Sequence, residues 1–559
     1  MTIMVHLPRN LSLLALAAAL AAPSPALAQT IPYGSAADEA GEDAPRAPRQ
    51  SRVTVSPYIE AVQVLNAELS PGDDVLTYTA LAAGIDAAIQ GRNNEAALSL
   101  RYERRIGYGR AQDGDTVSGV ARMSASVVPN TLKIEAGGLA ARSRVESNGA
   151  AVLSPLGDSD SVTQVYSVYA GPALSTRTGD VQVGANYRIG YNRVESPDAI
   201  VTAPGQAPVD VFDDSVVHSA NVHAGVKAGD VLPVGIGVGG GFYQEDVSNL
   251  DQRVRDIHAR LDVTLPVSGD VALVAGVGYE DVEVSGRDAL RDAGGAPVID
   301  SDGRYVTDKS VPRTIAFDTS GFIWDAGVIW RPSRRTAFEA HVGRRYGSTS
   351  VYGSFAYAPN DRSALNISVY DNVSGFGGQV NRALAELPTD FEALRNPLTG
   401  DLTGCVNSLQ KGNCLSGVLG SVRSSTFRAR GVSASFGQAI GRLSAGVSGG
   451  YDRRRYIAAP GTILAVANGV VDENWWLSTF ITGRIGERAS FTANSYINWF
   501  DSGFANAGTG KAMGATASYN RNITDKLSAT AALGIDGINR ELLDDIWTTS
   551  ALVGLRYRF

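Results

Sequence analysis

Two short rows of charge carry most of the chemistry this chain offers. Arg101, Glu103 and Arg105 alternate in EAALSLRYERR, and Glu339, His341 and Arg345 fall at odd positions in TAFEAHVGRRY. On an extended strand, residues two apart share a face, so each row aims its charges in one direction. Arg484, Arg556 and Arg558 extend the cationic set, with Asp325 and Asp452 as counter-charges. Such rows set ion selectivity or hold an anionic polymer. Alternatively, opposite charges pair with one another and keep an interior hydrated.

Reactive constellations are harder to find. His341 beside Glu339 has the pattern of an oriented base, but no nucleophile stands near it, and a polar interior residue is the simpler reading. His218, His223 and His258 form no H-x-x-x-H spacing, and His218 and His223, five apart, point to opposite faces of one strand. The chain has no G-x-S-x-G elbow. Gly235 to Gly241 in GIGVGGG lack the helix and acidic residue of a dinucleotide loop. The expectation is a chain with no catalytic, cofactor-binding or metal site, and no enzyme activity. Cys405 and Cys414 lie in CVNSLQKGNC, without nearby histidines for a metal. In an oxidising compartment such a pair closes a structural disulfide.

The elements that position these residues are strands. In TSALVGLRYRF the residues Val553, Leu555, Tyr557 and Phe559 alternate with small or cationic ones, Leu552 being the exception. That is one apolar face and one wet face. It resembles the terminal strand by which bacterial outer-membrane barrels are recognised by their assembly machinery. Residues 1–28 read as a secretory signal, with Arg9, an apolar run and Ala26-Leu27-Ala28. Residues 29–50 are rich in Ala, Pro and charge, a disordered periplasmic lead-in. Past the signal no run of about 20 apolar residues exists for a spanning helix. With 62 Gly and 21 Tyr against 4 Met and 19% charged residues, the composition favours a closed barrel, the other structure that satisfies its backbone in lipid. Losing Arg9 with the signal takes the net charge from −8 to −9, which argues against a nucleic-acid partner.

From residue 51 to 559 tight turns alternate with longer polar loops. Gly91 to Asn94, Thr178 to Asp180, Pro332 to Arg335 and Ile440 to Arg442 are compact turns. Polar stretches at 146–161, 195–215, 285–315 and 374–423 are long. The count is about 22 strands (range 18–24) of an all-β, antiparallel, up-and-down transmembrane barrel with short periplasmic turns and long extracellular loops. The segment 347–352 is the hardest to divide. Trp324, Trp330, Trp475 and Trp499 are expected as an interfacial aromatic girdle. The loop 374–423 exceeds any connecting need. It carries both cysteines, and RALAELPTDFEALRN (382–396) is expected to form a short helix broken at Pro388. It either folds inward and narrows the pore or stands outward and binds something.

The stretch 331–375, with Pro332-Ser333-Arg334-Arg335-Thr336 and Gly343-Arg344-Arg345-Tyr346-Gly347, resembles the core of outer-membrane barrels associated with exosortase (PEP-CTERM) and exopolysaccharide loci. The resemblance runs over about residues 320–559. It implies a Gram-negative outer-membrane location, contact with lipid and lipopolysaccharide, and a link to polysaccharide export components; it transfers no catalytic residue. The expected role is a passive channel or export conduit, since the 22 residues between the signal and the first strand are too few for a plug. The alternative is a barrel that anchors an envelope or matrix component.

Overall fold

A computed structural model describes residues 52–91, 93–145, 151–153, 162–195, 214–301, 303–407, 413–419, 425–504, 508–541 and 544–559. The signal and lead-in expected at 1–50 lie outside them. Alternating sequence becomes a closed antiparallel barrel of 22 strands, from 10 residues (Thr336–Arg345) to 20 (Thr314–Ser333) in length. Closure is made by strand Arg52–Ser70, which pairs with Val75–Gln90 on one side and with Ile546–Arg558 on the other. Every other barrel strand pairs with its neighbours in sequence, so the sheet has no free edge. A short strand, Ala151–Leu153, pairs only with Leu132–Val145.

The two ends of the barrel differ as expected. Gly179-Asp180, Arg334-Arg335, Asp361-Arg362 and Gly441-Arg442 are two-residue turns at the periplasmic end. The long connections 287–313, 375–426 and 457–470 leave the other end. Two features depart from the simple asymmetry. The periplasmic connection 227–234 is longer than a tight turn, and the extracellular end carries a two-residue turn at Tyr346-Gly347. Both residues of that turn have positive φ (53° and 68°), and a Tyr in that conformation is uncommon. The side chain compensates by turning inward: Tyr346 is buried, its hydroxyl donates to Asp256 and its N–H to Glu280. A turn without a turn-like sequence is why 347–352 resists division.

Outward positions are apolar. Leu261, Phe322, Leu533 and Val553 are more than half exposed, the reverse of a soluble core and the surface that lipid covers. The protein is a bacterial outer-membrane barrel. All four tryptophans of the expected girdle face outward. Trp475 lies opposite Trp499 and packs on Tyr451 at 4.3 Å between ring centroids. Trp324 sits midway along its own strand but opposite Arg344, at the end of the shortest neighbour. Val553, Leu555, Tyr557 and Phe559 share the outer face, the last two rings meeting edge to face at 5.3 Å. Leu552, the exception in the alternation, points into the lumen and packs against Leu398.

Candidate functional site

The lumen face of the wall is ionic, as the strand pattern requires, and its charges are paired. Arg101 contacts Glu60 and Glu103, both at 2.7 Å; Arg105 reaches Glu103 at 2.9 Å, and Arg556 reaches Glu60 at 2.7 Å. Glu60 escaped the sequence reading because its neighbours on the same face, Val62 and Val64, look lipid-facing. A second chain runs Arg122–Glu135–Arg188 at 3.4 and 3.2 Å. On the far side His341 lies between Asp325 and Glu339, each at 3.0 Å, and stacks on Tyr352 at 4.8 Å. Asp325 also holds Arg260, and Arg345 bonds Asp256 at 2.8 Å. Asp452 pairs with Arg454 at 2.6 Å. With both ring nitrogens engaged by carboxylates, His341 cross-links two strands. Arg484 and Arg558 lie by alternation on the lumen face near the periplasmic rim and stay exposed. His218 and His223 face opposite ways, toward Tyr187 and Asp262 respectively.

The interior is filled by the connection 375–426, the inward of the two arrangements the sequence allowed. Its helix is Phe376–Glu386, not the expected 382–396. Pro388 does end it, because a proline biases the preceding residue away from the helical region, and Leu387 is extended (φ −60°, ψ 144°). Residues Glu392–Arg395 instead form a strand of a small inner sheet with Leu402–Asn407 and Asn413–Cys414. A helical turn, Ser416–Leu419, follows.

The start of the helix is fixed by the wall. Glu245, fully buried on strand Gly235–Val247, accepts from the N–H of Gly375 at 2.6 Å and of Gly378 at 2.9 Å. Tyr243 donates to the same carboxylate at 2.6 Å. An N-terminal carboxylate satisfies donors that the helix itself cannot, and complements its dipole. This cap comes from 130 residues away, so no local signal announces it. Gly377 and Gly378 weaken the helix intrinsically, but a side chain at either would collide with Ser215, Asn192, Tyr243 or Glu245. Close docking explains both glycines.

Below the cap the contact turns apolar. Phe376, Val380, Leu384, Leu387, Leu402 and Leu419 pack against Val120, Leu139, Val165, Val194 and Val247 of the wall. Each such side chain contributes about 1.5–3 kcal/mol when fully buried. Polar latches surround this core. Asn381 donates to Asn192 at 2.5 Å, Arg122 donates to the Ala385 carbonyl at 3.1 Å, and Arg142 pairs with Asp401 at 3.1 Å. Arg395 has neutral partners, donating to the Ser118 hydroxyl and the Gly400 carbonyl at 2.7 Å. Burial and the nearby Arg101 pull its pKa down, opposed by Tyr58 and Asp86. At the tip, Leu398 seats among Val62, Val64, Tyr78, Ala80, Ala532 and Leu552. Enclosure by the barrel and the facing Asp86 push the Glu392 carboxyl up, while Arg484 and Arg558 pull it down, although its side chain remains open to lumen water.

The inner sheet sets Cys405 directly opposite Cys414. The disulfide expected between them falls on side chains outside the described residues. Among the described residues no cluster of metal-ligating side chains is found.

No family model and no curated protein matches the chain. Three solved structures similar to it are distant in sequence. The FrpB iron transporter from Neisseria meningitidis has a TM-score of 0.42 and 11% identity, covering 90% of this chain and 82% of that one. The open form of the ferric-catecholate import receptor Fiu from E. coli K12 has a TM-score of 0.43 and 10% identity, covering 92% and 82%. Pseudomonas aeruginosa OpdQ has a TM-score of 0.29 and 9% identity, covering 91% and 98%. Likenesses at this level carry no functional argument, so function must be read from the lumen itself.

Proposed function

We propose that this outer-membrane barrel is a gated conduit whose gate is its own inward-folded connection, 375–426, and that it has no enzyme activity. The observation behind this reading is the seating of that segment. It is capped by Glu245 and packed on an apolar strip of one wall, while its tip rests on a second small strip around Leu398. A stopper needs a defined seat, and the polar latches around this one are contacts that lumen water takes over when the segment leaves. The cargo we propose is extracellular polysaccharide, in keeping with the resemblance over 320–559, with export components and the barrel assembly machinery as partners. The paired lumen arginines fit a hydrated interior better than an anion-binding ring.

The test is planar-bilayer conductance of the full chain and of a variant lacking residues 376–422. The full chain should be nearly silent, with brief openings, and the deletion should give large ohmic steps. A correctly folded deletion variant that stays silent removes the conduit reading and leaves a barrel that anchors an envelope component, which the filled lumen also accommodates.

A further inference from the structure

The gate does not fill the lumen evenly. Its described residues dock through apolar, polar and ionic contacts on the strands between Asn94 and Val247, but meet the opposite wall, strands Val471–Ile485 to Leu527–Arg540, at isolated points. Gly417 lies against Trp476, and Leu398 sits over Gly534, where a side chain would come within 2.5 Å of its Cδ1. Between these points is a cavity of about 40 Å³ bounded by Asn396 and Thr403 of the gate and by Ser478, Asn494, Thr516 and Asp536 of the wall.

The lumen face of this wall has its own chemistry. Among its described residues, Asp536 alone is charged away from the two rims. Asn494 lies directly opposite Thr516, and Ser478, Asn498 and Ser518 add further amides and hydroxyls on the same three adjacent strands. Trp476, Phe480, Tyr496 and Phe500 stand among them as aromatic faces. Both polar side-chain atoms of Asn474 and of Asn494, and the Thr516 hydroxyl, are buried with no hydrogen-bond partner among the described residues. Orphaned buried amides are costly, and such groups call for an explanation. The docking wall also holds buried atoms without a partner, the Ser124, Ser143 and Tyr169 hydroxyls among them, but it differs in carrying charges that pair, Arg122 with Glu135 and Arg142 with Asp401 of the gate.

We infer that the face of strands Val471–Ile485, Ala489–Asp501, Thr509–Asn522 and Leu527–Arg540 is a recognition lane for a neutral, polyhydroxylated chain passing between wall and gate. This deepens the gated-conduit reading and rests on it. Hydroxyl groups donate and accept, matching amides that need both, and the aromatic faces take the C–H faces of sugar rings. Between the two rims a polyanion would find no cation among the described residues of the lane and would face Asp536. The cavity itself holds only a few waters in the closed state, so entry requires the gate to yield.

The experiment reconstitutes the full chain carrying Glu245→Ala, which loosens the gate, and adds oligosaccharides of equal length. Maltoheptaose should block the current at millimolar concentration, and heptagalacturonate should need at least tenfold more. Adding Asn494→Leu with Thr516→Val should weaken the maltoheptaose block at least fivefold; Asn494→Ala serves if the double variant fails to fold. Equal block by both sugars, or block unchanged by the lane substitutions, overturns the inference. A barrel silent in every form counts against the gate instead. Calorimetric titration of maltoheptaose into the detergent-solubilised Glu245→Ala chain then reads the lane directly, and no binding heat overturns it.

Discussion

Replacing Glu245 by Ala removes one acceptor that holds two backbone donors. Gly375 and Gly378 bond it at 2.6 and 2.9 Å in a site without solvent access. Leaving a buried N–H unsatisfied costs about 1–3 kcal/mol, and losing a carboxylate at a helix N-terminus costs about 0.3–1 kcal/mol more. Water entering the vacated space relieves part of this, so the net effect on docking is about 3–5 kcal/mol. At about 1.4 kcal/mol per factor of ten, the undocked population rises by roughly two to four powers of ten. Hydrogen exchange reads this without requiring the pore to conduct. Amides of helix Phe376–Glu386 should exchange at least 100-fold faster in Glu245→Ala, while those of strands Val75–Gln90 and Ile546–Arg558 stay protected. Glu245→Gln, which keeps one acceptor oxygen, should fall between. Unchanged exchange in the helix of a heat-modifiable, folded Glu245→Ala barrel would refute the idea that this carboxylate sets the gate.

Leu398→Ala should destabilise the docked tip by about 2–4 kcal/mol and raise proteolysis within 387–401 without lowering barrel stability, as seen by limited digestion against heat-modifiability on gels. If Cys405 and Cys414 form the expected disulfide, thiol labelling of the denatured protein should be absent until reduction. Reduction should then loosen the inner sheet by about 2–3 kcal/mol; free thiols in periplasm-exported protein would overturn the pairing. Glu392 gives a pH dependence. Its carboxyl is raised from 4.5 in the docked state, so the undocked segment releases its proton first as pH rises. Seating is therefore strongest below the ordinary glutamate range and weakens as pH climbs through the raised value. Open probability should increase with pH over that interval, and Glu392→Gln should flatten the response. Arg101→Ala leaves Glu60 with Arg556 and Glu103 with Arg105 as remaining partners, so it should cost less than the roughly 3–5 kcal/mol of an unpaired buried charge, visible as a modestly lower unfolding temperature on heat-modifiability gels.

The barrel was legible because its information is local. Alternation in EAALSLRYERR and SFTANSYINWF, together with the turn residues between strands, sets face and direction without reference to distant partners, and the count of about 22 strands followed. The gate was not legible, because every feature that defines it is long-range. Glu245 lies 130 residues from the amides it caps. Leu552, an irregularity by alternation, makes sense only against Leu398. The helix began six residues earlier than 382 because a wall carboxylate, not a local capping residue, starts it. Pairing makes groups such as Arg101 and Arg345, read from the sequence as candidate selectivity charges, into cross-links of the wall. The tight turn at Tyr346-Gly347 hid a barrel boundary, since a Tyr there gives no turn signature.

Strands Ser363–Ser374 and Phe427–Ile440 are hydrogen-bonded neighbours, and Ser374 faces Phe427 at the last rung of their ladder. The stopper is therefore leashed at both ends to one point on the rim. On the gated-conduit proposal it swings aside but cannot drift away, so its local concentration at its seat stays high whatever the protein concentration. Resealing is then a first-order event, and a cell carrying many copies would leak only for as long as each hinge stays swung open.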